Sequence, residues 1–144
     1  MTRLHVFKET KIRVPKKKLS ILFEAIANNE SHSYHSEEIN LVFTTDSKLR
    51  TLNRQFRSRD KSTDVLSFRL GESTAYDSIV GEIYISVPMA KRQAHEYQTT
   101  LSNELLRLAC HGLLHLFGYD HVKTLDSKKM KVREDYYLAR FRRV

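Results

Sequence analysis

The sequence predicts one α+β domain over residues 1–144, with a mixed sheet of about four strands packed with about five helices. Three observations predict it. At 144 residues, 40% hydrophobic and 29% charged with 4 Gly and 2 Pro, the chain has the size and composition of one compact domain. Apolar spacings of helical and strand type alternate along it with no repeat, linker or low-complexity tract. The candidate elements run β, α, β, α, β, β, α, α, α, an order that mixes crossovers with one hairpin.

The elements follow in turn. Leu4–Phe7 is a short strand candidate, and Pro15 opens a helix carrying Leu19, Leu22, Phe23 and Ile26 until Asn28 and Asn29 end it. Ile39–Thr44 alternates as a strand, after which Asp46 or Ser47 caps a helix carrying Leu49, Leu52 and Phe56. Val65–Phe68 and Ile79–Val87 are expected to pair as a hairpin across a long polar loop containing Gly71. Pro88 stops the second of these and starts a helix through Tyr97; Thr100 or Ser102 caps the next helix. A last helix over about 125–140 should pack through Met130, Tyr136, Tyr137 and Leu138.

Charge points to a partner. The net charge is +8, and of the 25 Lys and Arg residues seven fall in 1–18, seven in 48–69 and eight in 123–143. In the middle segment only Asp60 and Asp64 oppose them, so a polyanion such as nucleic acid meets a local excess of positive charge. The single cysteine excludes an internal disulfide and a Cys-rich zinc site, which suits a reducing compartment. No apolar run approaches the roughly 20 residues of a membrane span and no signal peptide is evident, so a cytoplasmic protein without membrane contact is expected.

The chemistry concentrates in HGLLHLFGYDH, residues 111–121. Leu105–Phe117 is almost wholly apolar, which predicts a helix buried on nearly all sides. Asn103, Glu104, Arg107, His111 and His115 form its one polar stripe. Histidines four residues apart place two imidazoles one turn apart, able to share one divalent ion. Gly118 lets the chain leave the helix through a left-handed conformation, and His121 follows as the third expected ligand. The spacing is that of the zinc endopeptidase motif H-E-x-x-H-x-x-G-x-x-H, except that Gly112 stands where its glutamate would be. Without that base peptide hydrolysis is disfavoured, whereas phosphodiester cleavage can use zinc-generated hydroxide and a cation on the phosphoryl oxygens.

With LNRQFRSRDKSTDVLSF at residues 52–68 and GEIYIS at 81–86 preceding that block, the chain closely resembles the YbeY family of bacterial endoribonucleases. The resemblance implies a single-strand-specific, zinc-dependent endoribonuclease acting in 16S rRNA 3′-end maturation and ribosome quality control. Its partners would be single-stranded RNA, rRNA and the small ribosomal subunit. It implies one zinc ion per chain held by His111, His115 and His121 on the central buried helix, although three imidazoles also accept nickel, cobalt or copper. It places the family's arginine at Arg57, facing the phosphate with Arg59 beside it. Ser62 departs from the proline of many relatives and is expected to loosen the approach to the following strand. Asp64 is either a support for a ligand or, the reading preferred, a strand-end residue, and Cys110 is expected as a small core residue; Met130 could lie beneath the metal site, but core packing explains it as well. His5, His32, His35 and His95 are expected at the surface. Glu104 and Asp120 lie near the site in sequence without a motif role. Two rival readings are a non-catalytic, metal-stabilised RNA-binding assembly factor and, opposed by Gly112, a metalloprotease.

Overall fold

The computed structural model describes residues 3–30, 37–73, 78–119 and 124–142. Its elements are β1 (Arg3–Lys8), α1 (Lys16–Glu30), β2 (Glu38–Thr44), α2 (Asp46–Arg57), β3 (Val65–Ser73), β4 (Ser78–Ser86), α3 (Val87–Glu96), α4 (Leu101–Leu116) and α5 (Thr124–Leu138), closed by a 3₁₀ turn over Ala139–Phe141. The four strands form one sheet in the order β1-β2-β4-β3. β1 runs parallel to β2 and β2 to β4, while β3 is the antiparallel edge strand. The α+β architecture expected from the sequence is therefore the one found. Among the described residues no helix is long and apolar enough to cross a membrane.

Strand alternation sends Ile39, Leu41 and Phe43 of β2 and Ile83 and Ile85 of β4 to one face. There they bury against Leu19, Leu22, Phe23 and Ile26 of α1 and the apolar sides of α4. α4 occupies the middle of this layer and packs on β3, β4, α1, α3 and α5. The opposite face carries α2, whose Leu49 and Leu52 are buried and whose Phe56 meets Phe68 of β3.

Several boundaries depart from expectation for local reasons. α1 runs through Asn28 and Asn29 to Glu30. Glu30 there accepts hydrogen bonds from Tyr119, Arg133 and Tyr137, which makes the extra turn worth forming. The cap of α2 is Thr45, whose Oγ1 accepts from the Lys48 amide at 3.2 Å. Asp46 is released for a different task, accepting from Ser86 Oγ at 2.5 Å and Arg92 Nη2 at 2.9 Å. Ser62 donates to the Asp46 carbonyl at 3.2 Å, so the approach to β3 is tied down where looseness was expected. β3 and β4 do pair as a hairpin, but β3 continues through Gly71 to Ser73, with a bulge between Arg69 and Gly71; residues 74–77 lie outside the described residues. Ser86 and Thr100 cap α3 and α4. In α5, Met130 and Tyr137 are buried, but Tyr136 is 52% exposed, with the Arg133 and Arg140 guanidinium groups over its ring.

The carboxylates of Glu30 and Asp46 carry a pH dependence. Burial works to raise both, but hydrogen bonds to Glu30 from Tyr137, Arg133 and Tyr119, and to Asp46 from Ser86 and Arg92, outweigh it and hold both below their ordinary values of 4.5 and 3.8. A carboxyl whose pKa is lower folded than unfolded stabilises the fold above the unfolded value, and that stability is lost as pH falls through the folded value. Thermal unfolding is therefore expected to be flat with pH down to about 4.5 and to drop steadily below it. In Glu30→Gln the drop should be shallower; an unchanged acid limb would remove Glu30 from this role.

Candidate metal and phosphate site

α4 is buried along most of its circumference, and its polar stripe emerges at Asn103, Arg107, His111 and His115, while Glu104, expected on the same stripe, is buried. His111 and His115, one turn apart, stand with ring centroids 4.8 Å apart and interplanar angle 71°. Both line a cleft of about 830 Å³ together with Arg57, Arg59, Lys61 and Ser67. Four of the five expected site residues thus meet in one cavity. The fifth, His121, lies outside the described residues, as do Asp120, His32 and His35.

Each wall has a local cause. The helix ends in a Schellman turn: Gly118 has φ +102°, its amide donates to His115 O at 3.0 Å, and the Tyr119 amide donates to Leu114 O at 3.0 Å. Tyr119 then donates its hydroxyl to Glu30 at 2.9 Å, which fixes the chain two residues before His121. On the other wall, buried Asn53 donates to Lys61 O at 2.9 Å and its carbonyl accepts from the Arg59 amide, holding the loop after α2. Ser58 makes the turn with φ 55°. Arg57 reaches across to β3, donating from Nη2 to Ser67 O at 2.9 Å with its guanidinium 5.4 Å from the Phe68 ring centroid. It does not cap its own helix's carbonyls.

Charge in this wall is unevenly matched. Asp60 is taken by Arg50 at 2.9 Å and lies 3.8 Å from Arg54, so it faces the outer side of α2. Asp64 behaves as a strand-end residue: its carboxylate accepts from the Val65 amide and from Gln93, and its carbonyl receives the Ser86 amide. Glu104 is buried and grips Arg107 through both oxygens at 2.8 and 2.6 Å, so it is held away from acid–base duty.

Sequence reasoning missed Glu134. From α5, its Oε1 accepts the His111 Nδ1–H at 2.5 Å, and the carboxylate is nearly buried. This pairing fixes the tautomer and directs any metal to Nε2, the usual support for a ligating imidazole. The donor chemistry therefore fits a divalent ion: two imidazoles on one face, one backed by a carboxylate, beside a cleft open to substrate. Among the described residues no complete group of three such ligands occurs, so the pair supplies two positions of the set. Cys110 is fully buried and burial pushes its thiol pKa up, which leaves it a core residue. His5 and His95 are at the surface.

Gly112, the departure from the protease motif, has a packing reason. A Cβ there would sit 2.8 Å from Ile83 Cγ2 and 3.0 Å from Ser67 Oγ, and Ser67 donates to the Gly112 carbonyl at 3.0 Å. α4 approaches the sheet so closely at this point that a side chain enters only if Ile83 or Ser67 gives way.

Comparison with known proteins agrees with this architecture. The Endoribonuclease YbeY family profile matches residues 5–142. An Endoribonuclease YbeY from Desulforamulus reducens is 41% identical over 118 residues, covering 77% of each chain. One from Desulfitobacterium hafniense is 38% identical over 129 residues, 83% of this chain and 82% of the relative. The solution structure of a Thermotoga maritima protein is 32% identical and superposes with a TM-score of 0.63, covering 94% of this chain and 87% of that one. A match from the first strand to the closing turn, at this level of identity and with a common fold, makes the chain a member of the Endoribonuclease YbeY family.

Proposed function

We propose that the protein is a zinc-dependent endoribonuclease specific for single strands, acting in the cytoplasm in 16S rRNA 3′-end maturation and ribosome quality control. The observation that carries this reading is the shared cleft, in which His111 and His115 face the basic wall of Arg57 and Arg59 in a chain of this family. His111, His115 and His121 would hold one zinc ion, which when bound supplies Lewis acidity toward a phosphoryl oxygen or a water. Arg57 commits one N–H to Ser67 and keeps the rest of its donor fork for a phosphate, pre-positioned by the Phe68 ring. Arg59 adds positive charge at the lip. Glu134 keeps the His111 ring in register. The basic wall attracts the RNA backbone, and cleavage should weaken with rising salt.

The test is incubation of an end-labelled single-stranded RNA with zinc-loaded protein, with His115→Ala purified in parallel. Cutting by the parent alone is the expected result, and product ends bearing a 2′,3′-cyclic phosphate would identify the RNA 2′-hydroxyl as nucleophile. RNA bound but left intact would overturn the enzymatic reading in favour of an assembly factor. A second check concerns the supporting carboxylate. Glu134→Gln is expected to lower zinc affinity by about 10–100-fold, read by competition with a chromophoric chelator. Parent-like affinity would reduce Glu134 to a packing role.

A further inference from the structure

We infer that Phe56 is a base-stacking residue: a nucleobase of single-stranded RNA lies on its exposed ring while Arg57 holds the adjoining phosphate. This rests on the ribonuclease reading and specifies how its site selects an unpaired strand. Helical spacing would place Phe56 in the core with Leu49 and Leu52, yet it is 63% exposed in the last turn of α2. It is nevertheless held. Its ring meets Phe68 edge-on at 5.4 Å, Phe68 meets Tyr84 edge-on at 6.1 Å, and the Tyr84 hydroxyl donates to Glu82 at 3.0 Å. An exposed aromatic anchored in this way loses little freedom when a planar ligand covers it.

Phe56 and Arg57 share their anchor, since the Arg57 guanidinium lies on the same Phe68 ring and donates to Ser67 next to it. Ser67 points toward α4 and the histidines, whereas Phe68 points to the other face of the sheet. Arg57 therefore straddles the edge strand, with the metal cleft on one side and the Phe56 ring on the other. The end of α2 and the loop after it are basic through Arg54, Arg59 and Lys61; of their acids, Asp60 is bridged by Arg50 and Arg54, and Asp64 accepts from the Val65 amide and Gln93. A flexible polyanion with uncovered π faces fits this surface, and that is single-stranded nucleic acid. A duplex stacks its bases internally and offers none to Phe56, which gives the site a physical ground for discriminating strands.

Two variants test this. Phe56→Leu keeps apolar packing on Phe68 but removes the π face; it should raise KM for a single-stranded RNA about tenfold with kcat nearly unchanged. Its preference for single strand over duplex should fall with it. Phe56→Trp should keep the parent KM, and because the chain contains no tryptophan its emission reports this position alone. Single-stranded RNA added to the metal-free F56W protein should quench that emission, and duplex RNA or polyglutamate should not. Unchanged KM in a folded F56L protein, or quenching by duplex or polyglutamate equal to that by single strand, overturns the inference. If F56L fails to fold, the quench decides. If the parent cuts no RNA, the ribonuclease reading falls while the quench still judges stacking.

Discussion

His115→Ala is expected to remove zinc and RNA cleavage together, lowering the rate by about a thousandfold or more while the chain stays folded. The magnitude follows from the several kcal/mol of transition-state stabilisation that a metal ion supplies to phosphoryl chemistry. The retained fold follows from position: His115 lies on the cleft stripe of α4, whereas the neighbouring Leu113, Leu114 and Leu116 face the core and are untouched. Zinc content by elemental analysis and melting with and without metal would check it. The parent should gain stability with zinc, because an ion that binds only the native state shifts unfolding by mass action, and His115→Ala should gain none. Stoichiometric zinc in the variant would take His115 out of the ligand set.

Gly112→Glu should be the most destabilising single change at the site, and it should not create a protease. The new side chain starts 2.8 Å from Ile83 and 3.0 Å from Ser67, inside the closest contact between helix and sheet. Overpacking and burial of a carboxylate cost about 3 kcal/mol or more, a fall in Tm of roughly 6–12 °C for a chain of this size. The glutamate's stem is aimed at the sheet, so casein turnover by this variant would contradict that placement. Gly112→Ala asks the same question more gently and should retain part of the stability.

Sequence read well where periodicity and local spacing carried the information. α4 was legible because its apolar sides and polar stripe are both visible in sixteen consecutive residues, and the Gly118 turn was legible because only a left-handed residue suits that exit. The sheet was legible through β2 and β4, whose Ile39, Leu41, Phe43, Ile83 and Ile85 alternate onto the core face, although Val42 and Thr44 on the other face of β2 are buried as well. What escaped were contacts between distant segments. Glu134 supports a histidine 23 residues away, and Glu30 joins α1 to α5 across 103 residues to Arg133. The one available clue to Glu134 was an acid on the apolar face of the last helix, in line with Met130 and Tyr137. Phe56 and Tyr136 misled for the opposite reason: each fits the helical apolar spacing, yet Phe56 rests at the surface against the Phe68 ring and Tyr136 beneath the Arg133 and Arg140 guanidinium groups.

The central placement of α4 also sets the order in which the molecule can come into being. β1 pairs in parallel with β2, and β2 with β4, so the sheet closes only after residues 38–86 are all available. These pairings span long stretches of chain and are slow to form. The helix that fills the core and carries the histidines begins at Leu101, after every strand. Glu134, which steadies His111, comes later still, in α5. During synthesis the basic segment around Arg57 thus emerges well before the histidines that line the cleft with it. The core, which takes Met130 and Tyr137 from α5, and the seating of Glu134 on His111 both wait for that last helix.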